Sequence, residues 1–207
     1  MLWISGMRVE RIINTIFNSN SFLISKNNFD SVWLIDCGDV DKILSALNCN
    51  QYIKGVFLTH SHFDHIYGLN DLISIFPDCF VYTTIEGYSA LYSDKLNFSK
   101  YHEKSFIFKY NNVKVVDFGN LELFNNCFLS VIHTPGHDPS CLTFLIEDYL
   151  FTGDAYIPNI KTITNLRGGN KLQANNSRKI IERMMLDTKY LCPGHGEIVL
   201  TNSLLSR

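Results

Sequence analysis

The sequence has no long hydrophobic run, no secretory leader and no large excess of charge. No segment approaches the roughly 18 uninterrupted apolar residues that a membrane-spanning helix needs. The first six residues, M-L-W-I-S-G, lack the basic stretch that opens a secretory signal. A formal net charge of −2 gives no bulk attraction to nucleic acid or to anionic lipid. We therefore predict neither a nucleic-acid partner nor a membrane partner.

The sequence also lacks paired cysteines and a serine-nucleophile motif. Its six cysteines are scattered and form no C-x-x-C pair. In a chain of this length without a secretory signal, that usage is typical of reduced thiols and not of a disulfide framework. We therefore expect a soluble cytoplasmic protein. Because no G-x-S-x-G segment occurs, nothing indicates a serine hydrolase.

Length and composition predict one globular domain. Of the 207 residues, 46% are hydrophobic and 13% aromatic, which excludes disorder as the dominant state. A chain of this length can bury roughly 70% of the surface that its unfolded form exposes. No linker, charge run or low-complexity tract divides it, so we predict a single domain over residues 1–207. Residues 1–6 are a candidate extension, because Met7 offers a second start.

Strand-like and helix-like segments alternate in the first half, which is typical of an α/β protein. Residues 31–36 and 52–59 are predicted strands. Between them, an apolar stripe over residues 40–47 has the spacing of an amphipathic helix. Asp39 precedes that stripe and is a candidate N-cap.

The second half is richer in strands. From residue 113 onward, short apolar runs are separated by turn signals. The polar residues 162–176 predict a mobile loop, and residues 177–185 predict the final helix. Both halves follow the order strand, acidic residue with glycine, strand, histidine-bearing loop. That order is expected of two similar α/β halves packed sheet against sheet.

The chemically informative segment is a histidine cluster that directly follows a predicted strand. It holds three imidazoles and one carboxylate in six residues: His60, His62, Asp64 and His65. In extended backbone His60 and His62 point the same way, so both can reach one cation. Asp64 and His65 lie past the turn, before a helix predicted to begin near Ile66, and face a neighbouring position. Such ligands suit zinc and other first-row divalent metals.

Three further ligand-type side chains lie at predicted strand ends, each beside glycine: His137 in T-P-G-H, Asp154 in F-T-G-D and His195 in P-G-H-G. Glycine lets the backbone turn sharply there. Each of them alone is more typical of an ordinary turn, and the cluster alone also fits a polar surface loop. Together they make seven potential ligands, enough for two metals, and they include five of the seven histidines.

In this order the motifs H-x-H-x-D-H, T-P-G-H, F-T-G-D and P-G-H-G resemble those of the metallo-β-lactamase-fold hydrolases, most closely the glyoxalase II-like branch. The resemblance runs from about Val9 to Ile198. It implies a four-layer αβ/βα sandwich with the metal site at one edge of the two sheets. It also implies two divalent metal ions, with zinc as the first expectation and iron or manganese as alternatives.

The resemblance assigns a role to each motif residue. The first metal would be held by His60, His62 and His137. The second would be held by Asp64, His65 and His195, with Asp154 bridging the two. Asp36 in D-C-G would support the histidine loop from behind, and a plain turn or helix-capping aspartate is the alternative.

The implied reaction is hydrolysis. Two neighbouring cations lower the pKa of a shared water enough to supply a metal-bridging hydroxide, which attacks a small thioester or ester-like substrate. A lactone is the second candidate within that class. Asp64 would orient the nucleophile and pass its proton to the leaving group. Weaker candidates for substrate contact, for which a solvated loop is the simpler explanation, are Tyr156, Lys161 and Arg167.

The sequence departs from these relatives in two places. Full-length glyoxalase II enzymes continue into a C-terminal helical domain that helps hold glutathione. These residues contain no counterpart, so lactoylglutathione is not the expected substrate. The segment 138–140, D-P-S, replaces the more usual T-P-G after His137.

Two other classes of function stay open as alternatives. A mononuclear iron persulfide dioxygenase shares the first two motifs, but such enzymes usually carry alanine at the position of Gly194. A non-catalytic binding module of the same fold should have lost one or more ligands. Because all seven are present, we rank that alternative last.

Overall fold

The computed structural model describes residues 6–116 and 119–205. The candidate extension at residues 1–6 lies outside these ranges except for Gly6, so its status stays a prediction. Among the described residues, no helix has the length and apolar character needed to cross a membrane.

The first half of the chain forms a six-stranded sheet whose strands follow one another in sequence order. The strands are β1 (Met7–Ile13), β2 (Asn20–Lys26), β3 (Ser31–Ile35), β4 (Tyr52–Phe57), β5 (Phe80–Thr83) and β6 (Val113–Val115). The β1–β2–β3 pairings are antiparallel, and those from β3 to β6 are parallel.

The second half forms a second six-stranded sheet, again in sequence order. Its strands are β7 (Gly119–Phe124), β8 (Cys127–His133), β9 (Leu142–Ile146), β10 (Tyr149–Gly153), β11 (Tyr190–Pro193) and β12 (Val199–Leu200). Only the β10–β11 pair is parallel among these described pairings. Consequently β8, β10 and β11 run in the same direction and end at the same edge.

Six α-helices cover the outer faces of the sheets in the described part of the chain. They are α1 (Val40–Ala46), α2 (Phe63–Ile66), α3 (Leu69–Ile75), α4 (Ile85–Leu91), α5 (Lys171–Met184) and α6 (Thr201–Leu205). Short 3₁₀ turns occupy Ser99–Tyr101 and Met185–Asp187.

The core is arranged in three apolar layers, which follow from the period-two alternation of side chains along the strands. In β3, Val32 and Leu34 pack toward the helices with Ile43 of α1. Their neighbours Trp33 and Ile35 pack into the layer between the two sheets. A third layer places α5 against the second sheet. This helix–sheet–sheet–helix order confirms the predicted four-layer αβ/βα sandwich.

Asp39 is the N-cap residue of α1, as predicted, but it caps the helix without its side chain. The helix does begin directly after Asp39, but the Asp39 side chain makes no capping hydrogen bond. Its carboxylate instead accepts hydrogen bonds from the Thr15 amide at 2.9 Å and from the Tyr67 hydroxyl, and it pairs with Lys42 Nζ at 2.7 Å. These tertiary partners outcompete the local cap.

The predicted loop over residues 162–176 is too long, because α5 already begins at Lys171. The Asn170 side chain accepts hydrogen bonds from the amides of Leu172 at 3.0 Å and Gln173 at 3.1 Å, which satisfies two of the unpaired donors at the helix start. Only Ala174 and Ser177 of the first two turns are buried. Because so few apolar side chains mark these turns, the sequence of residues 171–176 predicts a loop and not a helix.

The Asn170 cap generates a stability prediction. Asn170→Ala removes two side-chain hydrogen bonds, so we expect the free energy of unfolding to fall by about 1 kcal/mol. Asn176→Ala is the matched control, since Asn176 is exposed within the same helix and alanine favours helix. Urea denaturation of both variants measures the difference. Equal stability of the two variants would contradict the assigned cap.

Candidate metal centre

The seven predicted ligands lie at one edge of the sandwich because each follows a strand that ends there. His60 and His62 follow β4 in the first sheet, while His137, Asp154 and His195 follow β8, β10 and β11 in the second. The Leu142 amide donates to the Thr59 carbonyl at 2.7 Å, which joins the two sheets beside the site. The ligands from the first sheet and those from the second sheet therefore meet at this shared edge.

The histidine cluster is less extended than predicted. The helix expected near Ile66 begins at Phe63, so Asp64 and His65 lie on the first turn of α2 and His62 is its N-cap residue. The helical turn brings His65 under the centre of the site, with its ring centroid 4.3 Å from that of His60. His60 and His62 therefore lie after the end of β4, whereas Asp64 and His65 lie on the first turn of α2.

The ligand atoms of these residues form three overlapping groups. Within each group the candidate atoms lie within 4.8 Å of one another. The groups are His60–His62–His137, His60–His65–Asp154 and Asp64–His65–His195. The structure thereby brings together all seven side chains that the motifs singled out.

Asp154 lies between the two histidine groups. One of its carboxylate oxygens is 3.6 Å from His65 Nε2, and the other is 3.6 Å from His137 Nε2 and 3.5 Å from His195 Nε2. Asp64 Oδ2 approaches both His65 Nε2 and His195 Nε2 at 3.3 Å. Each carboxylate thus reaches more than one imidazole, as a bridging or shared ligand must.

The outer nitrogen of four imidazoles is occupied by a neighbouring oxygen. His65 Nδ1 donates to Asp36 Oδ2 at 2.9 Å, and His137 Nδ1 to the Ile163 carbonyl at 2.9 Å. His195 Nδ1 donates to the Phe17 carbonyl at 3.1 Å, and His60 Nδ1 lies 3.1 Å from Thr59 Oγ1. These contacts turn the four Nε2 atoms toward the centre.

Asp36 occupies the position that its predicted supporting role requires. It is buried, and besides His65 it accepts hydrogen bonds from the Thr59 amide and hydroxyl, both at 2.7 Å. It adopts a left-handed backbone conformation with φ at +58°. A residue other than glycine rarely adopts this conformation unless its surroundings hold it there.

Several polar atoms at the centre are buried and make no hydrogen bond. His60 Nε2, His65 Nε2 and Asp154 Oδ1 form no hydrogen bond with any described residue. Leaving such a group unsatisfied costs roughly 1–3 kcal/mol. Nitrogen and carboxylate donors of this kind suit zinc, iron or manganese. The donor set therefore fits two divalent cations, which would supply the missing partners.

Burial and neighbouring charges shift the pKa values of the clustered side chains in different directions. Desolvation lowers the pKa of His60 well below its ordinary value, and the neighbouring His65 lowers it further. For His195 desolvation also acts downward, but hydrogen bonds to Asp154 and Asp64 raise the pKa to about 9. The pKa of Asp64 lies far below the usual range because His65 and His195 offset its desolvation.

The three weaker candidates for substrate contact are placed differently from one another. Lys161 is exposed and lines a cleft of about 30 Å³ beside His137 and Asp154. The Tyr156 ring instead packs toward α5, 5.6 Å from the Arg178 guanidinium. Arg167 is exposed on the loop before α5 and lines neither this cleft nor the cavity over the site. Of the three candidates, only Lys161 lines a cleft beside the clustered ligands.

A cavity of about 310 Å³ opens over the site and has mostly apolar walls. Besides the clustered ligands, the residues that line it are Phe17, Phe63, Phe98, His102, Ile163 and Leu166. A second cavity of about 930 Å³ shares Phe17, Phe63 and His102. Sequence reasoning missed these wall residues, since no motif marks them. The signal that could have indicated one of them is that His102 is a histidine outside the ligand motifs.

The turn between β1 and β2 was also missed, although it supports the site. Besides the Phe17 carbonyl, Ser19 Oγ donates to the Asp64 carbonyl at 2.7 Å, and Asn20 Nδ2 donates to the Pro193 carbonyl at 2.9 Å. The turn thus connects α2 to the loop that carries His195.

Comparison with solved structures shows the same fold in several proteins. The BLEG-1 B3 metallo-beta-lactamase superposes with a TM-score of 0.84 at 22% identity, over 97% of each chain. TTHA1623 in a di-iron-bound form gives 0.78 at 23% identity, over 96% of this chain and 98% of its own. ETHE1 from Myxococcus xanthus gives 0.73 at 20% identity, over 95% of this chain and 80% of its own. At these identities the likeness concerns the fold alone.

A sequence-family model provides the more specific finding. The model of the metallo-beta-lactamase superfamily matches residues 14–195, a span that runs from the turn after β1 to the last of the seven clustered side chains. Since this match covers most of the sequence and the four-layer architecture agrees with it, the chain belongs to the metallo-beta-lactamase superfamily.

Proposed function

We propose that this protein is a dinuclear metal-dependent hydrolase that acts on a small thioester or ester-like substrate, a lactone being the second candidate bond. One observation carries the proposal. Two triads of ligand atoms lie on either side of Asp154, and the buried donors at their centre have no hydrogen-bond partner among the described residues. A mononuclear site would leave one triad without a role.

The residues divide naturally between two cations. The triad of neutral donors comprises His60, His62 and His137, and the triad with a carboxylate comprises Asp64, His65 and His195. Asp154 faces both triads and is assigned as the bridging ligand. When bound, two divalent cations in such a site activate water near neutral pH and polarise a carbonyl oxygen.

Asp64 is assigned the proton transfers. It approaches both of its neighbouring imidazoles through Oδ2. We assign Oδ1 to orienting the attacking water and to passing its proton to the leaving group. The depressed pKa of Asp64 keeps its carboxylate ionised at neutral pH, so Oδ1 can accept a hydrogen bond from the water that it orients.

The cavity favours a small substrate with an uncharged reacting group. Beyond the histidines, its lining is aromatic and aliphatic, and among the described residues the only carboxylates that line it are Asp64 and Asp154. Apolar walls bind the uncharged portion of a ligand, and the few polar groups fix its orientation. Lys161 at the adjoining cleft offers one positive charge near the rim.

A mononuclear iron dioxygenase is the second candidate, and Gly194 argues against it. A Cβ at Gly194 would lie 2.1 Å from Asp154 Oδ1 and 3.1 Å from His65 Cε1. The alanine usual in such dioxygenases therefore does not fit beside Asp154 as placed here. Iron itself stays an alternative metal, since one protein of this fold is described in a di-iron-bound form.

Elemental analysis of the purified protein tests the proposal directly. We expect about two zinc ions per chain. We also expect the zinc-loaded protein to hydrolyse at least one substrate in a panel of small thioesters and lactones. About one iron with little zinc would favour the dioxygenase, and oxygen uptake would then be assayed. If no metal binds even after reconstitution, the proposal is wrong.

Asp154→Ala should remove the second metal and the hydrolytic activity together, because Asp154 is the carboxylate that faces both triads. Asp148→Ala is the matched control, since Asp148 is exposed at the opposite end of β10. Metal stoichiometry and initial rates are measured on both. Full activity of the Asp154 variant with one metal would exclude a dinuclear mechanism.

Gly194→Ala should reduce metal binding by displacing Asp154. Gly196→Ala in the same loop is the control, because a Cβ there meets no atom within 4 Å although φ is +83°. We expect the Gly196 variant to lose about 1–2 kcal/mol of stability from backbone strain but to retain both metals. Metal analysis and thermal melts separate the two effects. Two tightly bound metals in the Gly194 variant would contradict the assigned position of Asp154.

Metal affinity should rise with pH through neutrality. Because the pKa of His195 in the metal-free site is about 9, this imidazole is protonated at pH 7 and a metal must displace that proton. The affinity of the Asp64–His65–His195 triad should therefore gain about tenfold per pH unit for each displaced proton, and level off above pH 9. Chelator competition between pH 6 and pH 9 measures this slope. A flat profile would show that no proton is displaced.

A further inference from the structure

The D-P-S segment after His137, which departs from the usual T-P-G, lies against the histidine cluster. We propose that Asp138 is a positioning residue that directs His62 toward the three-histidine metal site, and that Ser140 fixes Asp138 for this purpose. The inference rests on the proposed function, because it concerns how one of the two proposed metal positions is built.

Asp138 is buried and held in a single orientation. Only 8% of its surface is exposed. Its Oδ1 accepts hydrogen bonds from the Ser140 amide at 2.8 Å and from the Ser140 hydroxyl at 2.5 Å. Its Oδ2 lies 3.4 Å from His62 Nε2. One carboxylate oxygen thus anchors the residue while the other faces the imidazole.

Ser140 connects the same segment to the backbone of the histidine cluster. While its hydroxyl donates to Asp138, it accepts a hydrogen bond from the Ser61 amide at 3.2 Å. Ser61 is the residue between His60 and His62. The carbonyl of Pro139 in turn accepts from His133 Nε2 at 3.1 Å. The D-P-S segment is therefore fixed by contacts on both sides. It contacts the histidine cluster at the Ser61 main chain and at the His62 ring.

His62 differs from the other four imidazoles in the nitrogen that it turns inward. Its Nδ1 lies 3.1 Å from His137 Nε2, and its Nε2 faces Asp138. His137 donates its Nδ1 proton to the Ile163 carbonyl, so neutral His137 has no proton on Nε2. A carboxylate beside His62 Nε2 favours the proton on that nitrogen and leaves Nδ1 bare.

Two bare ring nitrogens then face each other across 3.1 Å. Their lone pairs repel unless a cation lies between them and His60. The Ile163 carbonyl and the Asp138 carboxylate thereby select the tautomers that a metal requires. Asp138 also places a negative charge beside a triad whose own three donors are uncharged.

The test is the metal affinity of the 207-residue chain, measured by chelator competition with Zn²⁺ and with Co²⁺. Asp138→Asn keeps the shape of the side chain and removes its charge. Loss of an outer partner of a ligating histidine weakens metal binding about 10- to 100-fold, so we expect that loss for one of the two metal equivalents. The Co²⁺ absorption spectrum should change for the same equivalent, and the melting temperature of the metal-free protein should not fall.

Two further variants sharpen the result. Asp148→Asn makes the same charge change at an exposed position and should bind both equivalents as the unaltered chain does. Ser140→Ala removes the hydroxyl that orients Asp138 and should weaken the same equivalent by a smaller factor. It also provides the measurement if Asp138→Asn does not fold.

Three outcomes have distinct meanings. Selective weakening of one equivalent in the Asp138 and Ser140 variants supports the inference. Wild-type affinity for both equivalents, or a parallel loss of both with a lower melting temperature of the metal-free protein, overturns it. If the unaltered chain itself binds no second equivalent, the proposed dinuclear function fails instead, and the control variant shows the same deficit.

Discussion

The central constraint on this structure is that imidazole nitrogens and carboxylate oxygens are buried together without hydrogen bonds at the edge of the two sheets. Such groups are unfavourable in a protein interior, and each would find a partner if it could turn. Four of the imidazoles cannot turn, because the outer nitrogen of each contacts Asp36, Thr59, or the carbonyl of Phe17 or Ile163. The fifth, His62, faces Asp138 with Nε2 at 3.4 Å. The strand ends and the start of α2 hold these imidazoles beside one another.

Much of the site could be predicted from the sequence because its signals are local. Three histidines in six residues, and a histidine or aspartate beside glycine at a strand end, are patterns that occur within a few residues. Parallel strand direction then places those ends at one edge, which explains why His137, Asp154 and His195 meet. The four-layer fold is implied by the family resemblance that the order of the motifs carries, and the strand-and-helix alternation agrees with it.

What could not be predicted depends on contacts between distant residues. Asp39 has the sequence of a helix cap, yet Thr15 and Tyr67 take its carboxylate. The start of α5 is set by Asn170, within a segment whose composition is that of a loop. The cavity walls join Phe17, His102 and Ile163, residues that are far apart in sequence and share no motif. Only the packed chain places them side by side.

The division of the sheets has a consequence for biosynthesis. Every strand of the first sheet precedes residue 116 and every strand of the second follows residue 118. A ribosome therefore releases the histidine cluster long before it releases His195. Until β11 is synthesised and packs into the second sheet, the imidazoles of the first half lack His195 as a neighbour and are more exposed to solvent. The proposed metal site is therefore complete only after almost the whole fold is assembled.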